Sequence, residues 1–250
     1  MLRITMRSMI NVTTRKFIAA LSIGVTMLCL PAVQLHAQMD VSIGLRGTVT
    51  DETNRKAAAL TITINDPSGK KITATKSKSS DGSYFVVLKP GAAYSFTFEG
   101  PGYFREVRTI EVPPFKKYTE ITRDWLVHPN NPGVKLRPAV SPFEYKKTKL
   151  RIGSELVLAP YLALMKSNPG TVFEIQCFPD VETTQQSATD FTNNRANTLK
   201  NYFVSNGISA ERISAKGSSG IDPENPIPQG RAAKGRRYVG STYLVVMHNE

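Results

Sequence analysis

Asp180 and Arg195 stand fifteen positions apart, in Glu174-Ile175-Gln176-Cys177-Phe178-Pro179-Asp180 and Thr192-Asn193-Asn194-Arg195-Ala196-Asn197. A carboxylate and a guanidinium facing one cleft suit a zwitterionic ligand. Arginine grips a carboxylate through two parallel hydrogen bonds, while aspartate takes an ammonium. The same two residues could instead form an ion pair that pins a helix to a strand; an exposed pair of that kind contributes only about 0–1 kcal/mol. Thr192 either donates to a ligand carboxylate or starts a helix. Arg236 and Arg237 are adjacent, so on a strand they point to opposite faces and at most one enters a shared pocket.

Catalytic chemistry has little to stand on. His36 falls in a leader, His128 in a connecting stretch and His248 at the terminus, and no Cys/His cluster has zinc-ligand spacing. Asp180 and Glu182 could in principle do acid–base work, but carboxylates on alternate positions near a loop are usually solvated. The chain is expected to be non-enzymatic, with no cofactor and no metal.

The elements that must position Asp180 and Arg195 are legible around them. Alternation through Val172, Glu174 and Gln176 predicts a strand over 171–177 ending near the carboxylate. A stripe of Ala196, Leu199, Tyr202 and Phe203 predicts a helix over 194–206 with Gly207 as its C-cap. Further strands are expected at 143–145, 212–216 and 237–246, and a helix from Ser154, as N-cap, to about Lys166. Two helices on one face of a mixed sheet make an α/β sandwich.

This order of pieces resembles the OmpA C-terminal-like family of peptidoglycan-associated domains. The likeness runs from about Pro142 to Val246. It is carried by Phe143, the stretch Ser154-Glu155-Leu156-Val157-Leu158-Ala159-Pro160, Asn168-Pro169-Gly170, Asp180, Arg195-Ala196, Asn206-Gly207-Ile208, Gly217 and Gly235-Arg236-Arg237. The resemblance implies that Asp180 takes the ammonium of diaminopimelate in a peptidoglycan stem peptide and Arg195 its carboxylate. It also puts Arg236 and Arg237 close to that pocket, where one of them adds positive potential. The chain departs from the family where Cys177-Phe178-Pro179 replaces the usual Gly-His-Thr, where Val181-Glu182-Thr183-Thr184 lacks a glycine, and where Ala188 and Gly235 replace asparagines. Those departures favour a second reading, an assembly subunit whose OmpA-like domain binds protein rather than cell wall.

Compartment follows from the ends and the charge. Residues 1–37 read as an export signal: Arg3, Arg7, Arg15 and Lys16 precede an apolar run and the small-residue end Leu35-His36-Ala37. The leader carries four of the positive charges and no acids, so the chain's +12 falls to about +8 without it. No aromatic-studded basic stripe suggests nucleic acid; a basic surface suits an acidic wall polymer. Cys177 is the only cysteine beyond the leader, so no intrachain disulfide can form there.

Residues 40–128 read as an all-β sandwich, with strands near Gly44-Leu45-Arg46, Ala59-Leu60-Thr61-Ile62, Tyr84-Phe85-Val86, Tyr94-Ser95-Phe96 and, last, 109–112. The pieces Gly47-Thr48-Val49-Thr50-Asp51, Asp81-Gly82-Ser83-Tyr84 and Gly100-Pro101-Gly102-Tyr103 resemble the carboxypeptidase-regulatory-like or CnaB-like family, which implies an adhesive or assembly role. Residues 129–141 read as a proline-spaced linker and 142–250 as the OmpA-like domain. The expected whole is a periplasmic protein, associated with the outer membrane, whose partners are peptidoglycan and an outer-membrane or periplasmic protein.

Overall fold

Residues 41–228 and 237–248 are described by a computed structural model, so the expected leader and Arg236 lie outside the described residues. Eight strands come first: β1 (Ile43–Asp51), β2 (Thr61–Asn65), β3 (Lys71–Lys76), β4 (Ser83–Leu88), β5 (Ala92–Glu99), β6 (Glu106–Val112), β7 (Thr119–Thr122) and β8 (Trp125–Val127). They make two sheets. In one, β1 lies between antiparallel β4 and parallel β7, with β8 parallel to its far end; the other has the order β3-β2-β5-β6. Strand alternation turns Tyr84, Val86 and Leu88 inward from β4, where they meet Ile62, Ile64, Phe96 and Phe98 from the facing sheet. Trp125 closes this core against Phe96 and Phe98, with ring centroids 5.7 and 5.2 Å away.

The sandwich has three strands that hydrophobic alternation does not reveal. β3 buries no residue fully and is an edge strand, and β7 is Thr-Glu-Ile-Thr. Both owe their strand character to pairing with β2 and β1 rather than to an apolar face of their own. β8 carries the Trp125 anchor but spans only three residues.

The second half contributes β9 (Lys135–Leu136), α1 (Ser154–Ser167), β10 (Val172–Cys177), α2 (Gln185–Ser205), β11 (Ile213–Gly217) and β12 (Thr242–His248). Its sheet has the order β11-β10-β12-β9, parallel between β10 and β11 and antiparallel elsewhere. Four expectations are corrected. The strand expected at 143–145 is absent: Phe143 makes one isolated bridge to Leu150, and the chain turns at once through Lys146, whose φ of 55° no strand accommodates. The edge strand is β9, from within the stretch read as linker. Helix α2 begins at Gln185, nine residues earlier than expected, with Thr184 accepting the Ser187 amide as its N-cap. Its first turns are polar outside, so only Ala188 and Thr192 extend the buried stripe. Ser154 is the first helical residue rather than the cap; left-handed Gly153 precedes it.

The two halves share a side chain. Phe104, which follows the Gly100-Pro101-Gly102 turn of the sandwich, is fully buried in the second core and stacks on Phe173 at 5.9 Å. Beside it, the Arg105 amide donates to Asn168 Oδ1 and Asn168 Nδ2 donates to the Arg105 carbonyl, both at 2.9 Å.

Candidate functional site

Three elements build the Asp180–Arg195 site. Strand β10 stops at Cys177, and Phe178-Pro179 carries the chain past the sheet edge to Asp180. Arg195 lies on the buried stripe of α2, with Ala188, Thr192, Ala196, Leu199 and Phe203. The third element is the turn over residues 143–150. It packs Phe143 against one face of the guanidinium, 4.9 Å from its centre, while Phe191, one helical turn before Arg195, lies 4.4 Å away.

The pair is bidentate. Arg195 Nη1 donates to Asp180 Oδ1 at 2.6 Å and Nη2 to Oδ2 at 2.9 Å. Neither side chain meets solvent: exposure is 0% for Arg195 and 1% for Asp180. The turn completes the coordination. The Arg195 Nε–H and Nη2–H groups donate to the carbonyls of Lys147 and Glu144, each at 2.8 Å. The Lys146 amide donates to Asp180 Oδ2 at 2.6 Å, and the Gly240 amide to Oδ1 at 2.7 Å. A charge pair taken from water needs such additional hydrogen bonds to remain favourable.

Sequence reasoning missed most of this shell. Glu144, Lys146, Lys147 and Gly240 act through their backbones, so side-chain identity carries no signal for the first three. Gly240 does leave one: a Cβ there would collide with the carbonyl of Phe178, so only glycine brings that amide to the carboxylate.

The other expected site residues fall differently. Thr192 is neither at the helix start nor open to a ligand. It is fully buried inside α2, its hydroxyl 2.9 Å from the carbonyls of both Ala188 and Ser218. Arg237 precedes β12 rather than opening it; it is exposed, with its guanidinium over the Tyr145 ring at 5.1 Å, which sets it on the outer side of the turn covering the ion pair. Cys177 is buried, and burial outweighs its contact with Thr242 to push the thiol up to about 12.

His128 belongs to a separate polar cluster at the end of β8. Its Nδ1 lies 2.8 Å from Glu106 and its Nε2 2.6 Å from Glu52, while Arg108 also pairs with Glu106. Burial alone would lower the imidazole pKa; hydrogen bonds and charge from the two glutamates overcome it and raise it to about 9. Among the described residues no group of His, Cys, Asp and Glu could hold a metal ion, and no helix is long and apolar enough to cross a membrane.

Comparison with known proteins bears on residues 142–237, which match the OmpA family. No curated protein matches the chain. Among solved structures, the peptidoglycan-associated lipoprotein of Burkholderia pseudomallei is 17% identical, over 42% of this chain and 86% of that one, with a TM-score of 0.35. The OmpA-like domain of FopA1 from Francisella tularensis is 17% identical, over 48% and 83%, with a TM-score of 0.34. The Bacillus anthracis TIE protein is 19% identical, over 35% of this chain, with a TM-score of 0.30; only 16% of its own length is spanned.

Proposed function

We propose, from the OmpA family domain at residues 142–237, that this chain is a non-enzymatic cell-envelope protein that binds peptidoglycan non-covalently. In this reading the leader exports it to the periplasm. The ligand is the diaminopimelate end of a stem peptide, and the sandwich links the wall to an outer-membrane or periplasmic protein. The observation that carries the reading is the polarity of the Asp180–Arg195 shell. Residues 144–147 offer an N–H to the carboxylate and two carbonyls to the guanidinium. That is the polarity of an ammonium and a carboxylate, so a zwitterion replaces these three groups like for like once the turn moves aside. Exposed Arg237 beside Tyr145 adds positive potential at the rim, which attracts an acidic polymer.

A second reading rests on the same bonds. Each oxygen of Asp180 already has two donors and Arg195 is fully enclosed, so the pair is complete without a ligand. On that reading the pair is structural and the domain binds protein.

Co-sedimentation of the full chain with diaminopimelate-type sacculi separates the two. The comparison variant is Lys146→Pro, which has no amide for Asp180 and cannot hold a positive φ. The wall reading expects pelleting that free meso-diaminopimelate reduces, and stronger pelleting by Lys146→Pro. Absence of pelleting by folded wild type and folded variant alike sinks it and leaves the second reading. Pelleting that diaminopimelate does not touch removes Asp180 and Arg195 from the contact.

A further inference from the structure

The outer face of the sheet built on β1 groups aromatic side chains where strand alternation points residues to water. Positions 44 and 46 of β1, Phe85 and Val87 of β4 and Glu120 of β7 face outward. Val87 and Glu120 stand opposite Gly44 on either side, and Phe85 stands opposite Arg46. Phe85 is 49% exposed, Val87 51% and Tyr118, just before β7, 54%. Single exposed apolar residues are ordinary; a group of them on one face marks an interaction site.

Gly44 faces outward yet is buried, because two aromatic side chains lie over it. A Cβ there would stand 2.5 Å from the Tyr118 hydroxyl and 3.0 Å from the Phe85 ring. Glycine therefore lets Tyr118 from the β7 side and Phe85 from the β4 side lie down on the sheet. A ring lying against a sheet covers one face and opens the other, in accord with exposures near one half. The Tyr118 hydroxyl is tethered as well: it donates to Glu120 Oε1 at 3.2 Å, and Glu120 Oε2 pairs with Arg46 Nη1 at 3.1 Å. Two half-open rings thus share a glycine floor, bordered by one carboxylate and one guanidinium.

We propose that this face is a glycan-binding platform, taking neutral pyranose rings of an extended β-1,4-linked chain on Phe85 and Tyr118. The C–H side of a pyranose is apolar and weakly positive, and seats on the negative face of an aromatic ring. Its equatorial hydroxyls project around the ring edge, where Glu120 accepts and Arg46 donates. Charge selects against an anion: Arg46 and Glu120 cancel, so the platform keeps no positive charge of its own for a phosphate or a uronate. Size selects against a folded protein, because the apolar part is three side chains, where a standard interface takes roughly 20–30 residues a side. An open sheet face also suits an extended, ribbon-like chain better than a compact ligand, which needs a concave pocket. The platform lies on the sandwich and shares no residue with the Asp180–Arg195 site.

The test is isothermal titration of the full chain with cellohexaose and with chitohexaose, beside hexagalacturonate as an anionic comparison. Expected are binding of at least one neutral hexasaccharide, weaker binding of hexagalacturonate, and a loss of about tenfold or more in affinity on Phe85→Ala and on Tyr118→Ala. Both residues are exposed, so both variants keep the fold. Gly44→Ala is the sharper variant: its methyl group displaces only the ends of two flexible side chains, so the fold stays while binding falls. The proposal is overturned if neither neutral hexasaccharide binds, if either ring deletion binds as wild type does, or if hexagalacturonate binds more tightly. It is also overturned if the chain self-associates by sedimentation and Phe85→Ala makes it monomeric, which gives the face to a second copy. Free meso-diaminopimelate is expected to leave oligosaccharide binding unchanged; competition would move the sugar to the Asp180–Arg195 site and overturn the assignment. None of these outcomes depends on whether the chain pellets with sacculi.

Discussion

Among the described residues Arg195 is the most enclosed charge, and its energetics follow from what surrounds it. Removing its side chain leaves the Asp180 carboxylate buried with amide donors only, and strands the carbonyls of Glu144 and Lys147. Breaking a buried pair in this way destabilises by about 3–5 kcal/mol. Arg195→Ala is therefore expected to lower urea-unfolding stability by that amount, measured by far-UV circular dichroism; a loss under about 1 kcal/mol would show a solvated pair. His128 gives a second residue-scale expectation. Its folded pKa of about 9 lies above the ordinary 6.5. The stability it contributes is fully present below pH 6.5 and is lost as pH rises through 9. Glu106 acts in the opposite sense: burial favours its neutral form, but His128 and Arg108 outweigh this and hold its pKa below 4.5, so its share is lost on acidification below that range. Replacing His128 by Gln is expected to flatten the stability profile between pH 6.5 and 9, where wild type loses roughly 1–3 kcal/mol. An unchanged slope in the variant would assign the titration elsewhere.

Among the elements, the turn over 143–150 and the Gly240 segment decide what the ion pair can do. Neither is regular structure, and both serve the site through amides and carbonyls. Gly240→Ala forces a methyl group onto the Phe178 carbonyl and drives the amide away from Asp180. It is expected to destabilise the domain by about 1–3 kcal/mol. The site-specific readout is faster exchange of the Lys146 amide, as the turn loses its anchor. Equal exchange in the two proteins would separate Gly240 from the turn. Helix α2 shows how an element can be half visible. Its second half has an apolar stripe, but of its first turns, Gln185 to Asn193, only Ala188 and Thr192 are fully buried, with Phe191 half-buried against Arg195. The early turns are held by the Thr184 cap and by Asn193 Oδ1, which accepts the Gly217 amide at 2.7 Å.

Across the whole molecule, Phe104 and the Arg105–Asn168 pair tie the sandwich to the α/β half. Phe104→Ala removes the ring stacked on Phe173 and is expected to destabilise by about 3–5 kcal/mol. Its distinctive effect is on cooperativity. Trp125, the single tryptophan, reports the sandwich, while circular dichroism at helical wavelengths reports the other half. The two transitions are expected to coincide in wild type and to separate in the variant; coincidence in both would mean that other contacts couple the halves. The sequence by itself determined the two cores, the β10 strand, the buried face of the second half of α2, and the identities of Asp180 and Arg195. Each is written as side-chain type at strand or helix spacing, and burial acts on side-chain type. Only the tertiary structure decided that the pair is enclosed, that β9 rather than 143–145 edges the sheet, and that Phe104 crosses into the second core. Those outcomes rest on backbone hydrogen bonds between segments distant along the chain, and every non-proline residue carries the same amide and carbonyl whatever its side chain.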